Sequence, residues 1–95
     1  MANYKLSEEA EDDVSELYRY GVLNFGLDQA DRYYDGLFDR FDELAENPFL
    51  YQAVDHIRAG YRRSVYRRHS IYYRIQGKTV QIMRILGSHD PEKQL

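Results

Sequence analysis

The sequence contains no cysteine and no tryptophan, and only two prolines among 95 residues. Without cysteine, neither disulfides nor thiolate metal sites can hold the fold together, which suits a reducing compartment. No apolar run approaches the roughly 20 residues of a membrane-spanning helix. The opening MANYKLSEEAEDD passes from a short mixed segment into acid, without the charged-then-apolar pattern of a secretory leader. A soluble, cytoplasmic protein with no membrane contact is therefore expected. His56, His69 and His89 lie far apart, with no i, i+4 pair to begin a metal site. The six glycines are scattered rather than gathered into a phosphate-binding loop, and no serine sits in a nucleophile elbow. No metal and no cofactor is expected. The length argues for a single domain, residues 1–95, with a modest core.

What is present is charge, unevenly placed. The formal net charge is −3, yet residues 1–55 hold 14 Asp/Glu against 4 Lys/Arg, and residues 56–95 hold 2 against 9. The balances are −10 and +7, an asymmetry that the average pI conceals. The basic half centres on GYRRSVYRRHSIYYRI, residues 60–75, with five arginines threaded by tyrosines. Three kinds of chemistry use such residues. Arg62, Arg63, Arg67, Arg68, Arg74 and Arg84 can contact phosphates while Tyr66, Tyr72 or Tyr73 stack on bases. Arginine can stabilise a phosphorane while His or Tyr moves protons, which cleaves RNA without metal. Tyr and Arg are also the residues enriched at protein-interface hot spots. Against all three stands an ordinary reading: arginines on exposed strands are common, and Tyr73 occupies an alternate apolar position that suits a core.

Periodicity divides the chain in two. Residues 2–6 alternate loosely, as a leading strand does. Ser7 offers a helix N-cap before Glu8, Glu9, Glu11, Asp12 and Asp13, carboxylates that favour the positive end of a helix dipole. Ala10, Val14, Leu17, Tyr18 and Phe25 follow on one face, and Gly26 terminates the helix. Asp28 is expected to cap a second helix carrying Ala30, Tyr34, Leu37, Phe38, Phe41, Leu44 and Ala45, stopped by Asn47-Pro48. Residues 49–60 read as a loop and 61–67 as a strand. Ile71, Tyr73 and Ile75 then alternate in a strand joined by Gln76-Gly77-Lys78 to Val80, Ile82, Arg84 and Leu86. The expected class is α+β, in the order β-α-α-β-β-β. A helical hairpin packs on one face of a small, mainly antiparallel sheet, and the other face is left open and lined in part by Arg and Tyr.

Three segments in this order, Ile57-Arg58-Ala59-Gly60-Tyr61-Arg62, His69-Ser70-Ile71-Tyr72-Tyr73-Arg74 and Arg84-Ile85-Leu86 with Asp90-Pro91, resemble the ParE toxins of the RelE/ParE superfamily. YKLSEEAEDDVSELYRYGVLNFG is similar to that family's opening strand and first helix, and LDQADRYYDGLFDRFDELAENP to its second. The resemblance implies the same fold and a growth-inhibiting toxin of a type II toxin–antitoxin system, neutralised by a small antitoxin, ParD-like or other, encoded beside it. ParE-like toxins act on DNA gyrase, and RelE-like relatives cut mRNA in the ribosome. RelE-type nucleases resemble one another in an arginine before the apolar pair of the third strand, where this chain has Ser70. They carry another arginine where this chain places His89, and a C-terminal tyrosine near the position of Leu95. His69 at a strand start matches the ParE-like pattern. Two departures from that pattern are Gly87, where the family typically has His, and SVYRR, which replaces a small-residue turn.

The resemblance thus implies a gyrase inhibitor that acts by binding, with no catalytic step. The alternatives are a ribosome-dependent mRNA endoribonuclease using Arg62, Arg84 and His89, and a toxin-fold protein that retains only antitoxin binding. Residues expected to meet target or antitoxin are Arg58, Tyr61, Arg62, Arg63, Arg67, Arg68, His69, Arg74, Arg84 and His89. The expected antitoxin is partly disordered, pairing acids with the arginines and setting apolar anchors in a groove beside the helical hairpin. No sequence-specific nucleic-acid binding by the toxin alone is expected.

Overall fold

Ser7 joins the first strand to the first helix and ties both to the last strand. In the computed structural model, which describes residues 3–87 and Leu95, its Oγ accepts from the Ala10 N–H at 3.0 Å and donates to the Met83 carbonyl at 2.8 Å. Its own N–H donates to the Ile82 carbonyl at 2.9 Å. The cap is therefore also a cross-link between residues far apart in sequence. Ser7→Ala is expected to cost about 1.5 kcal/mol, the sum of a lost N-cap and a lost hydrogen bond. The urea midpoint at unchanged m-value measures it, and a midpoint equal to the parent's would show the cap to be idle.

The elements are β1 (Asn3–Leu6), α1 (Glu8–Phe25), α2 (Leu27–Glu46), β2 (Gln52–Ala53), β3 (Tyr61–Tyr66), β4 (His69–Gln76) and β5 (Thr79–Leu86). The expected order is present, with one addition: residues 49–60, read as a loop, contain the two-residue edge strand β2, paired antiparallel with β3. The sheet order is β1-β5-β4-β3-β2, mixed because β1 runs parallel to β5. Gly26 separates the helices, as expected, with a φ of 89°. Asp28 is not the second cap. The turn at Gly26 is so tight that α2 starts at Leu27, and the Gly26 carbonyl accepts from Ala30. Asp28 instead lies in the first turn, where its carboxylate still meets the helix dipole.

The main core lies between the helices and one sheet face. Ala10, Val14, Leu37, Phe41 and Leu44 meet Tyr66, Ile71, Tyr73, Val80, Ile82 and Ile85. A second, smaller cluster of Val54, Tyr61, Tyr72 and Leu86 gathers Ile57, Met83 and Leu95 around it. The expectation of an open second face is corrected here. Residues 54–61 fold back as a knot, with Ile57 and Arg58 N–H groups on the Val54 carbonyl, Val54 N–H on the Tyr61 carbonyl and Gly60 N–H on the Asp55 carboxylate. Tyr72 is consequently buried, as are Tyr66 and Tyr73, and none of the three is free to stack on a base. Tyr73 fills the core, and its hydroxyl donates to the Pro48 carbonyl at 2.8 Å.

A bulge interrupts β4–β5. Tyr72 pairs with Arg84 and Tyr73 with Ile82, so Met83 has no opposite residue. The strand changes phase there, and Ile82 and Ile85, three apart, both reach the helix-side core.

Candidate functional site

Most of the singled-out arginines are held by the chain itself. Arg84 donates from Nε and Nη2 to Asp13 at 2.8 and 3.1 Å and lies 3.4 Å from Glu9. Donating to the Asp13 carboxylate raises the already high Arg84 pKa further. Arg62 donates to the Tyr51 carbonyl at 2.7 Å, with its guanidinium 5.0 Å over the Phe49 ring. Arg58 donates to the Leu95 carbonyl and lies over Tyr61, itself buried. Arg74 donates to the Gln81 side chain at 2.6 Å. Arg63 is half-buried on β3. His89 lies outside the described residues.

Arg67, Arg68 and His69 come together elsewhere. They form the β3–β4 turn and its exit, and they line one side of a groove of about 690 Å³. The other walls are mostly apolar or aromatic: Val14, Leu17, Tyr18, Tyr20 and Phe25 from α1, and Ala30, Tyr33, Tyr34 and Leu37 from α2, with Gln29 and Gly87 also lining it. Gly21 allows the helices to close up, since a Cβ there would sit 3.3 Å from that of Ala30. Around the hairpin tip Tyr20, Leu23, Phe25 and Leu27 are each more than half exposed. Monomeric surfaces seldom gather apolar side chains this way unless something covers them.

Electrostatics in the groove favour neutral groups with a cationic rim. Burial pushes the Tyr33 hydroxyl up to about 12, so it keeps its proton. Desolvation lowers the His69 pKa. The Tyr33 hydroxyl and His69 Nδ1 share a hydrogen bond, and their rings meet edge to face. Tyr18 donates to the Asp31 carboxylate at 2.6 Å, which sets one acid beside the α-helical wall. Arg67 and Arg68 are both exposed, and among the described residues neither is seen paired with a carboxylate. Arg67 is the one non-glycine residue described with positive φ, 54°. A side chain in that region costs about 1–2 kcal/mol relative to glycine.

Several residues that matter escaped the sequence reading. Asp13 was one acid among many. Tyr33 stood next to Tyr34 and only the second fitted the apolar face. Arg40 donates to the buried Ser64 hydroxyl at 2.7 Å and the Val65 carbonyl at 2.9 Å, and lies over Tyr51 and Tyr66. Its one available signal was a lone cation amid Asp39, Asp42 and Glu43. Among the described residues, no three His, Asp or Glu side chains gather as metal ligands do. Nor, among the described residues, is any helix long and apolar enough to cross a membrane.

Comparison with known proteins agrees with this architecture. The family model for the ParE toxin of the type II toxin–antitoxin system, parDE, matches residues 4–90. Toxin ParE1 of Caulobacter vibrioides is 35% identical over 86 residues, 90% of this chain and 88% of that protein. Toxin ParE1 of Mycobacterium tuberculosis is 34% identical over the same length and coverage. A solved structure of the chromosomal ParDE TA system from P. aeruginosa superposes with a TM-score of 0.81 over 94% of this chain and 98% of that chain. At 21% identity, that likeness is one of fold. Strand, helical hairpin and arginine-bearing sheet thus all lie within one matched span, and the chain belongs to the ParE toxin family of type II toxin–antitoxin systems.

Proposed function

We propose that this ParE family member inhibits DNA gyrase by binding it, and that a small antitoxin, ParD-like or other, neutralises it by filling the groove. The observation that carries this reading is the groove itself: apolar walls, a basic rim at Arg67 and Arg68, and exposed aromatic residues at its mouth. Such a surface suits an amphipathic protein segment with apolar anchors and acidic flanks. The P. aeruginosa structure of like fold belongs to a ParDE system, which supports an antitoxin as the occupant. Action by binding rather than catalysis is supported by where the arginines go. Arg84 and Arg62, two of the three residues a ribonuclease reading needs, are engaged by Asp13 and by the Tyr51 carbonyl. Ser70 stands where nuclease relatives have an arginine, and the sheet tyrosines are buried. The same reading treats residues 1–95 as one toxin domain acting in the cytoplasm.

Purified gyrase relaxing and supercoiling a plasmid tests the proposal. Micromolar protein is expected to suppress supercoiling, with activity restored by an equimolar amount of the antitoxin encoded beside it. Unchanged supercoiling together with cleavage of ribosome-bound mRNA would overturn it. Expression without antitoxin is expected to induce the DNA-damage response before translation slows.

A further inference from the structure

The two hairpin turns of the sheet pose the same backbone problem and solve it with different residues. Tyr66 pairs with His69 and Gln76 with Thr79, so each turn has two residues between paired ends. In each, the first of the two has positive φ: 54° at Arg67 and 62° at Gly77. Glycine is the residue that such a position asks for. The β4–β5 turn has it. The β3–β4 turn has the longest cationic side chain instead.

We propose that Arg67 is retained for partner selection: its guanidinium takes a carboxylate from the antitoxin segment lying in the groove, and the strained backbone is the cost of presenting it. This rests on the groove as the antitoxin's seat. Three further observations place the charge. The guanidinium lies 5.7 Å over the Tyr66 ring, a cation–π contact that favours this position. Arg67 lines the same groove as Tyr33. Among the described residues no carboxylate of the chain is seen paired with it, although residues 1–55 carry an excess of acid. A guanidinium beside apolar walls, where water is partly excluded, binds a carboxylate more strongly than one in open solvent, and bidentately when geometry permits. A phosphate polymer is the poorer occupant, because most of the groove's lining is apolar or aromatic.

Strain and recognition together give a signature that neither gives alone. Arg67→Gly is expected to raise the melting temperature of the free protein by a few degrees. It is also expected to weaken the affinity for the purified antitoxin about tenfold and to flatten its salt dependence. Arg67→Lys keeps the charge and the strain, and is expected to recover part of the affinity and the salt dependence without the gain in melting temperature. Phe25→Glu, on the exposed groove mouth, serves as the reference and is expected to abolish tight binding. If Arg67→Gly binds as the parent does while Phe25→Glu does not, the role of Arg67 is overturned and the groove stands. If Phe25→Glu also binds as the parent does, the groove is not the seat and both proposals fall. A lower melting temperature for Arg67→Gly would overturn the strain half of the argument.

Discussion

Asp13→Ala is expected to lose about 3 kcal/mol of folding stability. From α1, the Asp13 carboxylate accepts three hydrogen bonds from β5: two from Arg84, and one at 3.0 Å from the Ile85 N–H. Its side chain is 16% exposed and that of Arg84 19%, so the pair is well removed from water. Truncation removes two charge-assisted hydrogen bonds from Arg84, together about 2 kcal/mol. Glu9 moderates the loss only slightly, since it sits 3.4 Å from Arg84 with its side chain 73% exposed. The orphaned Ile85 N–H adds about 1 kcal/mol. The paired replacement Asp13→Leu with Arg84→Met removes both charges and is expected to recover much of the deficit. Urea denaturation of all three proteins decides the matter. A single Asp13→Ala within about 0.5 kcal/mol of the parent would mean that the pair is decorative.

Gly36→Ala should destabilise the protein by about 2 kcal/mol, although helix propensity alone favours alanine by about 1 kcal/mol. A Cβ at this position in α2 would collide with the Tyr66 hydroxyl and lie 3.1 Å from its Cζ. Tyr66 has little room to withdraw. Arg40 covers one face at 5.5 Å, the Tyr33 ring meets it edge-on at 5.1 Å, and its hydroxyl donates to the Tyr33 carbonyl. Overpacking of this kind costs about 1–3 kcal/mol, and a ring driven outward loses buried contacts besides. Tyr66→Phe removes the atom in the tightest contact, so Gly36→Ala in that background is expected to be close to neutral. The coupling between the two sites, read from a double-mutant cycle, is the measurement. A stabilised Gly36→Ala would show that Tyr66 moves aside freely.

The element order was legible because each element follows a local rule. Ser7 with its run of acids started α1, Gly26 ended it, Asn47-Pro48 ended α2, and Gln76-Gly77-Lys78 closed the last hairpin. What failed to show depended on distant contacts. Alternation along 80, 82, 84, 86 implied one uniform face, and nothing local marks Met83 as the residue the bulge leaves unpaired. Tyr72 read as exposed because its cover, residues 54–61 and Leu95, carries no strong pattern of its own. The arginines were legible as a group but not in their separate fates. Whether a guanidinium is spent on Asp13 or left at a groove rim depends on which helix residue the fold brings opposite. SVYRR was visible as an unusual replacement for a small-residue turn, but Arg67 was read as the end of the strand. Neither its place in the turn nor its positive φ was legible.

The adjacency of β1 and β5 dictates the order in which this molecule can assemble. Residues 3–6 are made well before residues 79–82, their strand partners. The α1 cap and the Asp13 carboxylate likewise wait for residues 82–85. Until β5 is made, the first strand has nothing to pair with and α1 lacks the sheet it packs on. The helical hairpin and the β3–β4 hairpin close short loops and are expected to form before the long-range joining of β1 to β5. A chain truncated short of residue 86 therefore lacks the strand that pairs with β1 and anchors the α1 cap.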